Sequence, residues 1–97
     1  PHKGVVLINK KNAVVIDIRS QKEFDEGKIS QARHVGPNLD VCKKEIEKAD
    51  GNPVILVCQN GTNSSRMASD LKKEQISVFV LKGGINNWIS EKLPLVN

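Results

Sequence analysis

Hydrophobic positions in this chain fall into short runs, and the spacing inside each run predicts its element. Residues 13–18 (Ala-Val-Val-Ile-Asp-Ile) and 54–57 (Val-Ile-Leu-Val) are continuous and rich in β-branched side chains. Runs apolar on both faces mark strands covered on both sides of a parallel sheet. Residues 76–81 read as another buried strand. Elsewhere the period changes. Leu39, Cys42, Ile46 and Ala49 step by three, four and three, which puts them on one helical face. Residues 66–73 read as a helix. Ile85, Trp88 and Ile89 predict the inner face of a last helix, ended by Pro94. Residues 4–10 stay open: Val5, Val6, Leu7 and Ile8 suit either a strand or a turn of helix. Residues 9–12 then read as a turn.

The polar punctuation supplies the boundaries. Ser20 and Glu23 form a capping box, so a short helix runs through Phe24 and stops at Gly27. Residues 28–36 read as loop with a short strand around His34 and Val35. Pro37 and Asn38 start a helix that Gly51 and Asn52 close. Strand alternating with helix predicts a three-layer α/β fold, a mostly parallel sheet flanked by helices, with residues 1–97 as one domain.

Composition removes several function classes. The formal net charge of +4 is scattered over helix-like segments and forms no basic run. The aromatic residues are Phe24, Phe79 and Trp88 alone, so no stacking platform for nucleic acid is expected. No apolar run approaches membrane-spanning length, and no signal peptide is visible. Cys42 and Cys58 form no CxxC pair and no zinc-spaced cluster, so neither metal nor cofactor is expected. Two free thiols suit a reducing, cytoplasmic compartment. Cys42 lies within an apolar stripe and reads as a buried structural thiol.

Cys58 is different. It ends the apolar run 54–57, and a polar stretch with one glycine separates it from the helix of residues 66–73. That layout sets a side chain at a strand's carboxyl end, facing a helix N-terminus where free N–H groups collect. Cysteine acidity rises at such sites, from a pKa of about 8.5 into roughly the 3.5–7.5 range. Gly61 permits a positive-φ turn, and successive amides curling round one sulfur would make an anion nest. Cys58 is therefore the candidate nucleophile, expected to be ionised and reachable from solvent. The competing reading is a small buried hydrophobe at a strand end.

Three blocks together resemble the rhodanese family. Residues 14–19 (Val-Val-Ile-Asp-Ile-Arg), with Glu23-Phe24 and Gly27-Lys28-Ile29, look like its first signature. Cys58-x-x-Gly61 looks like its active-site loop, and Leu81-Lys82-Gly83-Gly84-x-x-x-Trp88 like its closing signature. The resemblance implies a sulfurtransferase that carries a sulfane sulfur as a Cys58 persulfide. It implies a cradle of Gln59, Asn60, Gly61, Thr62, Asn63 and Ser64, with Ser64 opening the following helix. Asp17 and Arg19 match framework positions and read as a structural pair. Trp88 packs the last helix, and Gly83-Gly84 shapes a loop near the pocket. The implied partners are a small sulfur donor, thiosulfate or a persulfide, a thiol or cyanide-like acceptor, and a protein partner on one side of the exchange.

The chain departs from the family pattern where charge is concerned. Asn63 stands where many members carry Arg, Lys28 replaces a His, and the cysteine loop has no basic residue. A neutral loop attracts a dianion weakly, which favours a persulfide or another low-charge donor. Arg66 either turns its charge toward the pocket or solvates its helix. His2 and His34 lie outside the motifs and read as incidental. A cysteine phosphatase would want Arg at position 64, where Ser64 stands. A binding module that keeps the fold without catalysis is the other alternative. Residues 92–96 are similar to the tail of bacterial rhodanese-like proteins that carry an N-terminal membrane anchor, so an anchor would precede Pro1 and the domain would face the cytoplasm.

Overall fold

The computed structural model describes residues 2–97, without the side chain of His2. Its elements are α1 (His2–Lys11), β1 (Val14–Asp17), α2 (Gln21–Glu26), β2 (Arg33–His34), α3 (Leu39–Lys48), β3 (Val54–Val57), α4 (Thr62–Lys73), β4 (Phe79–Val80) and α5 (Gly84–Ser90). The four strands form one sheet in the order β2-β1-β3-β4, every pairing parallel. β1 and β3 make its centre, in register from Val14 against Val54 to Asp17 against Val57.

Alternation along these strands builds the three layers. Ile16, Val54 and Leu56 face one side and pack with Cys42, Ala49, Met67 and Leu71 from α3 and α4. Val15, Ile55 and Val57 face the other and pack with Ile85 and Trp88 of α5, against which Val5, Leu7 and Ile8 of α1 also rest. A sheet buried on both faces explains why β1 and β3 read as unbroken apolar runs. The open segment near the N-terminus is thus helical, because its apolar residues cover a sheet face rather than extend an edge. Asn12, at φ 54°, turns the chain from α1 into β1.

Local signals set several boundaries as expected. Ser20 accepts from the Glu23 amide while the Glu23 carboxylate accepts from the Ser20 amide, the full capping box. Asn38 caps α3 through the Val41 amide at 3.0 Å. Asp50 and Gly51, both at positive φ, follow its end.

Three expectations are corrected. The strand expected over residues 76–81 forms a ladder only at Phe79 and Val80, and Phe79 is 39 % exposed, because β4 is an edge strand with one neighbour. Ile89 is 52 % exposed rather than part of the inner face of α5. The helix α5 ends at Ser90, before Pro94, and Lys92 at φ 59° reverses the chain. The tail then returns to pair Val96 with Lys28, and the Pro94 carbonyl accepts from the Trp88 indole at 2.9 Å.

The order β2-β1-β3-β4 has its switch point between β1 and β3: the chain moves outward one way from β1 and the other way from β3. Open α/β sheets form their crevice there, beyond the carboxyl ends of the strands. At the end of β1 stands Asp17, fully buried and bound to Arg19. The Arg19 guanidinium reaches the Asp17 carboxylate from Nε at 3.1 Å and from Nη2 at 2.9 Å, and Nη2 also donates to the Gly27 carbonyl at 2.7 Å. His34, outside the sequence motifs, is structural: its Nε2 donates to the Arg19 carbonyl at 2.8 Å and its ring lies 4.8 Å from Phe24.

Removing one partner of a buried pair leaves the other charge uncompensated. Arg19→Met is expected to lower unfolding free energy by about 3–5 kcal/mol, read as a fall in the urea midpoint. Asp17→Asn with Arg19→Met together is expected to cost less than the single change.

Candidate active site

Cys58 follows β3 directly, at the carboxyl end of a central strand. Residues 59–61 then turn the chain, and α4 begins at Thr62. The helix thus starts earlier than the polar composition predicted. Thr62, Asn63 and Ser64 form its first turn, and the loop proper is Gln59, Asn60 and Gly61. Gly61 is the N-cap at φ 94°, a left-handed conformation that suits glycine and offers no capping side chain. Neighbours take over that role. The Asn60 carboxamide oxygen accepts from the Thr62 amide at 3.0 Å. The Cys58 sulfur accepts from the amides of Gly61 at 3.1 Å and Ser64 at 3.3 Å. The sulfur is in effect the acceptor that caps α4.

This surrounding sets the thiol's acidity. Burial pushes the Cys58 pKa up. The Ser64 hydroxyl and the backbone amides of Ser64, Gly61 and Asn63 push it down and prevail, so the thiol ionises below its ordinary value. The Ser64 hydroxyl is fully buried and has no partner in hydrogen-bond geometry. Its influence on the Cys58 pKa shows that the sulfur is near, and a charged sulfur would give it an acceptor. Cys42 shows the opposite case. It is fully buried among apolar groups, as the sequence predicted, and burial first and Glu45 second raise its pKa to about 11.

One expectation fails. Cys58 was expected to be reachable from solvent, yet the residue is only 3 % exposed and packs in the core layer with Ile16, Leu56 and Met67.

The predicted cradle residues divide by position. Asn60, Gly61 and Thr62 line an open cavity of about 510 Å³ together with Ser65, Val80, Lys82 and Gly83. Gln59 is occupied elsewhere: its carbonyl oxygen accepts from Arg19 at 3.2 Å and its amide donates to Asn86 at 2.7 Å. Asn63 lines a different concavity, between α3 and α4, with Pro37, Arg66 and Met67. Arg66 is exposed there, apart from the cavity at the cysteine loop. Sequence reasoning passed over Lys82 and Val80. The closing motif Leu81-Lys82-Gly83-Gly84-x-x-x-Trp88 contains Lys82, but only its glycines and Trp88 carry a local signal.

Those glycines join the two halves of the site. The Cys58 carbonyl accepts from Ile85 at 3.0 Å and the Gln59 carbonyl from Asn86 at 2.9 Å, so the start of α5 lies against the cysteine loop. Gly84, at φ 62°, has no room for a side chain: a Cβ would collide with the Cys58 carbonyl oxygen.

A parallel three-layer sheet with a cysteine at its switch point, its sulfur held by helix N-terminal amides, defines an α/β domain built round a cysteine loop. The family model for the rhodanese-like domain matches residues 5–91, and the chain belongs to that family. It is 39 % identical over 93 residues to the uncharacterized protein YibN of Escherichia coli, covering 93 % of this chain and 65 % of that protein. The chain therefore spans a little under two thirds of that relative's length. A thiosulfate sulfurtransferase, GlpE of Coxiella burnetii, is 31 % identical over 84 residues, 84 % of this chain and 77 % of that protein. Among solved structures, a rhodanese-related protein from Thermoplasma volcanium superposes with a TM-score of 0.76 at 22 % identity, over 94 % of this chain and 90 % of that one. A thiosulfate sulfurtransferase from Pseudomonas aeruginosa gives 0.83 at 18 %, over all of this chain and 18 % of that one. These two likenesses establish the fold. Among the described residues no helix is long and apolar enough to cross a membrane.

Gly84→Ala is expected to cost about 1–3 kcal/mol by denaturation and to disturb the cysteine loop, whereas Gly51→Ala, at φ 87° with nothing within 4 Å of a Cβ, should cost only about 1–2 kcal/mol. Titration of thiolate absorbance should show Cys58 ionising below the free-thiol value of about 8.5, with Cys42 silent in that range. Ser64→Ala should move the titration to higher pH. Because the folded pKa is the lower one, this group's contribution to stability is complete above about pH 8.5 and disappears as pH falls through the folded value.

Proposed function

We propose that this domain is a sulfurtransferase that carries a sulfane sulfur on Cys58, with Asn60, Gly61, Thr62 and Ser64 forming the sulfur site. The observation that carries this reading is the convergence of the Gly61 and Ser64 amides on the Cys58 sulfur, with the thiol's pKa lowered despite burial. Membership of the rhodanese-like family supports it.

The chemistry needs only that site. The Cys58 thiolate attacks the outer sulfur of a donor R–S–SH. The Cys58 S–S bond forms as the donor's S–S bond breaks, and the electron pair leaves on R–S⁻. The proton stays on the transferred sulfur until the persulfide ionises, and the loop amides then hold the negative charge. An acceptor thiolate attacks that outer sulfur in the second half, and Cys58 departs as thiolate. The interactions that lower its pKa make it both an ionised nucleophile and a good leaving group. Sulfur moves without net oxidation.

No cation lies in the Cys58–Ser64 segment, which favours a persulfide over dianionic thiosulfate as donor. Gln59, bound to Arg19 and Asn86, fixes the loop rather than binding substrate. A sulfur this enclosed requires the loop of residues 59–61 to yield as donor enters.

The same burial favours a second reading, a regulatory module that keeps the fold and binds a partner without turnover. Intact mass after incubation with thiosulfate or glutathione persulfide separates the two. The sulfurtransferase gains one sulfur atom, retained in Cys42→Ala and abolished in Cys58→Ala. The module gains none from either donor.

A further inference from the structure

The cysteine segment is neutral, yet the cavity beside it is not. Of the residues that line this cavity, Lys82 alone carries a charge, and no carboxylate accompanies it. Lys82 is exposed and takes part in none of the ion pairs among the described residues. Its backbone is held in place. The Asn87 amide donates to the Lys82 carbonyl at 3.1 Å, and the Gly83–Gly84 turn that follows is pressed against the cysteine loop. A Cβ on Gly61 would lie 3.2 Å from the Gly83 nitrogen, so the two loops are in contact next to Lys82. Lys82 also borders a smaller apolar trough of about 210 Å³ along β4, whose other lysine, Lys3, sits 5.1 Å over the Phe79 ring.

We infer that Lys82 is a specificity-determining residue for the sulfur donor: it binds a carboxylate on the body of a low-molecular-weight thiol persulfide while the reacting sulfur enters the neutral site at Cys58. This deepens the sulfurtransferase reading and rests on it. The division of charge is the physical argument. A dianion bearing its charge at the sulfur would have to enter a loop with no cation. A persulfide whose charge sits several bonds away meets one where the cavity opens. A cavity of about 510 Å³ falls within the range that holds small ligands, roughly 300–1,000 Å³. Lys82 also favours the departing thiolate R–S⁻, which leaves on the same body as the carboxylate.

The test uses two donors with one skeleton: glutathione persulfide, and the persulfide of glutathione diethyl ester, whose carboxylates are masked. Cys58 loading is followed by intact mass under second-order conditions, and the readout is the ratio of the two rate constants, free acid over ester. An exposed ion pair is worth up to about 1 kcal/mol, so Lys82→Gln is expected to lower the ratio about two- to fivefold. Lys82→Glu should lower it further, and added salt should lower it in the wild type. Lys44→Gln, which removes an equal charge from an exposed position on α3, should leave it unchanged. An identical ratio in wild type, Lys82→Gln and Lys82→Glu, with Cys58 still loading, would overturn the role of Lys82 and leave the sulfurtransferase reading standing. Failure of both donors to load the wild type would overturn both.

Discussion

A sulfur atom that caps a helix is the interaction on which this site depends. The helix α4 begins at a glycine that can offer no side chain to its free amides. Uncapped helix amides in a buried setting are costly, and the Cys58 sulfur takes two of them. The helix start is thereby satisfied, and the sulfur acquires a preference for its ionised form. Stability and reactivity are linked here through the same two hydrogen bonds.

Holding the sulfur there requires fixed geometry on both sides. From β1, the buried Asp17–Arg19 pair extends through Gln59 to Asn86, tying the first loop to the last helix. From β4, the Gly83–Gly84 turn lies close enough to the Cys58 carbonyl that a side chain would collide. On this second side the contacts are backbone on backbone, with glycine present where two loops approach. The cysteine loop itself carries no charge, and the one cation lining the cavity beside it is Lys82, on the neighbouring turn.

The burial of Cys58 has a consequence for how the site works. A thiol in an open nest would react as soon as donor arrived. One that is 3 % exposed is met less freely, and the sulfurtransferase reading proposed above has the short loop of residues 59–61 yield to donor. In that reading the side-chain bonds of Gln59 and Asn60, which tie down the segment from Gln59 to Gly61, oppose access.

Much of this was legible in the order of residues. Unbroken apolar runs marked both central strands and their burial, because a sheet covered on two faces tolerates nothing polar in its middle. Ser20 with Glu23, and Asn38, marked helix starts, since capping acts within three or four residues. A cysteine ahead of a glycine-containing turn marked the site, and the three signature blocks named the family. Other features depended on residues far apart in sequence. The helical state of residues 2–11 was decided by the sheet face it covers, and the exposure of Phe79 by β4 having one neighbour. Lys82 borders the cavity at the cysteine loop only because β4 and α5 pack beside that loop. Local spacing determines hydrogen bonds between near neighbours; burial and the proximity of charges belong to the folded chain, whose packing brings position 82 beside positions 60–62.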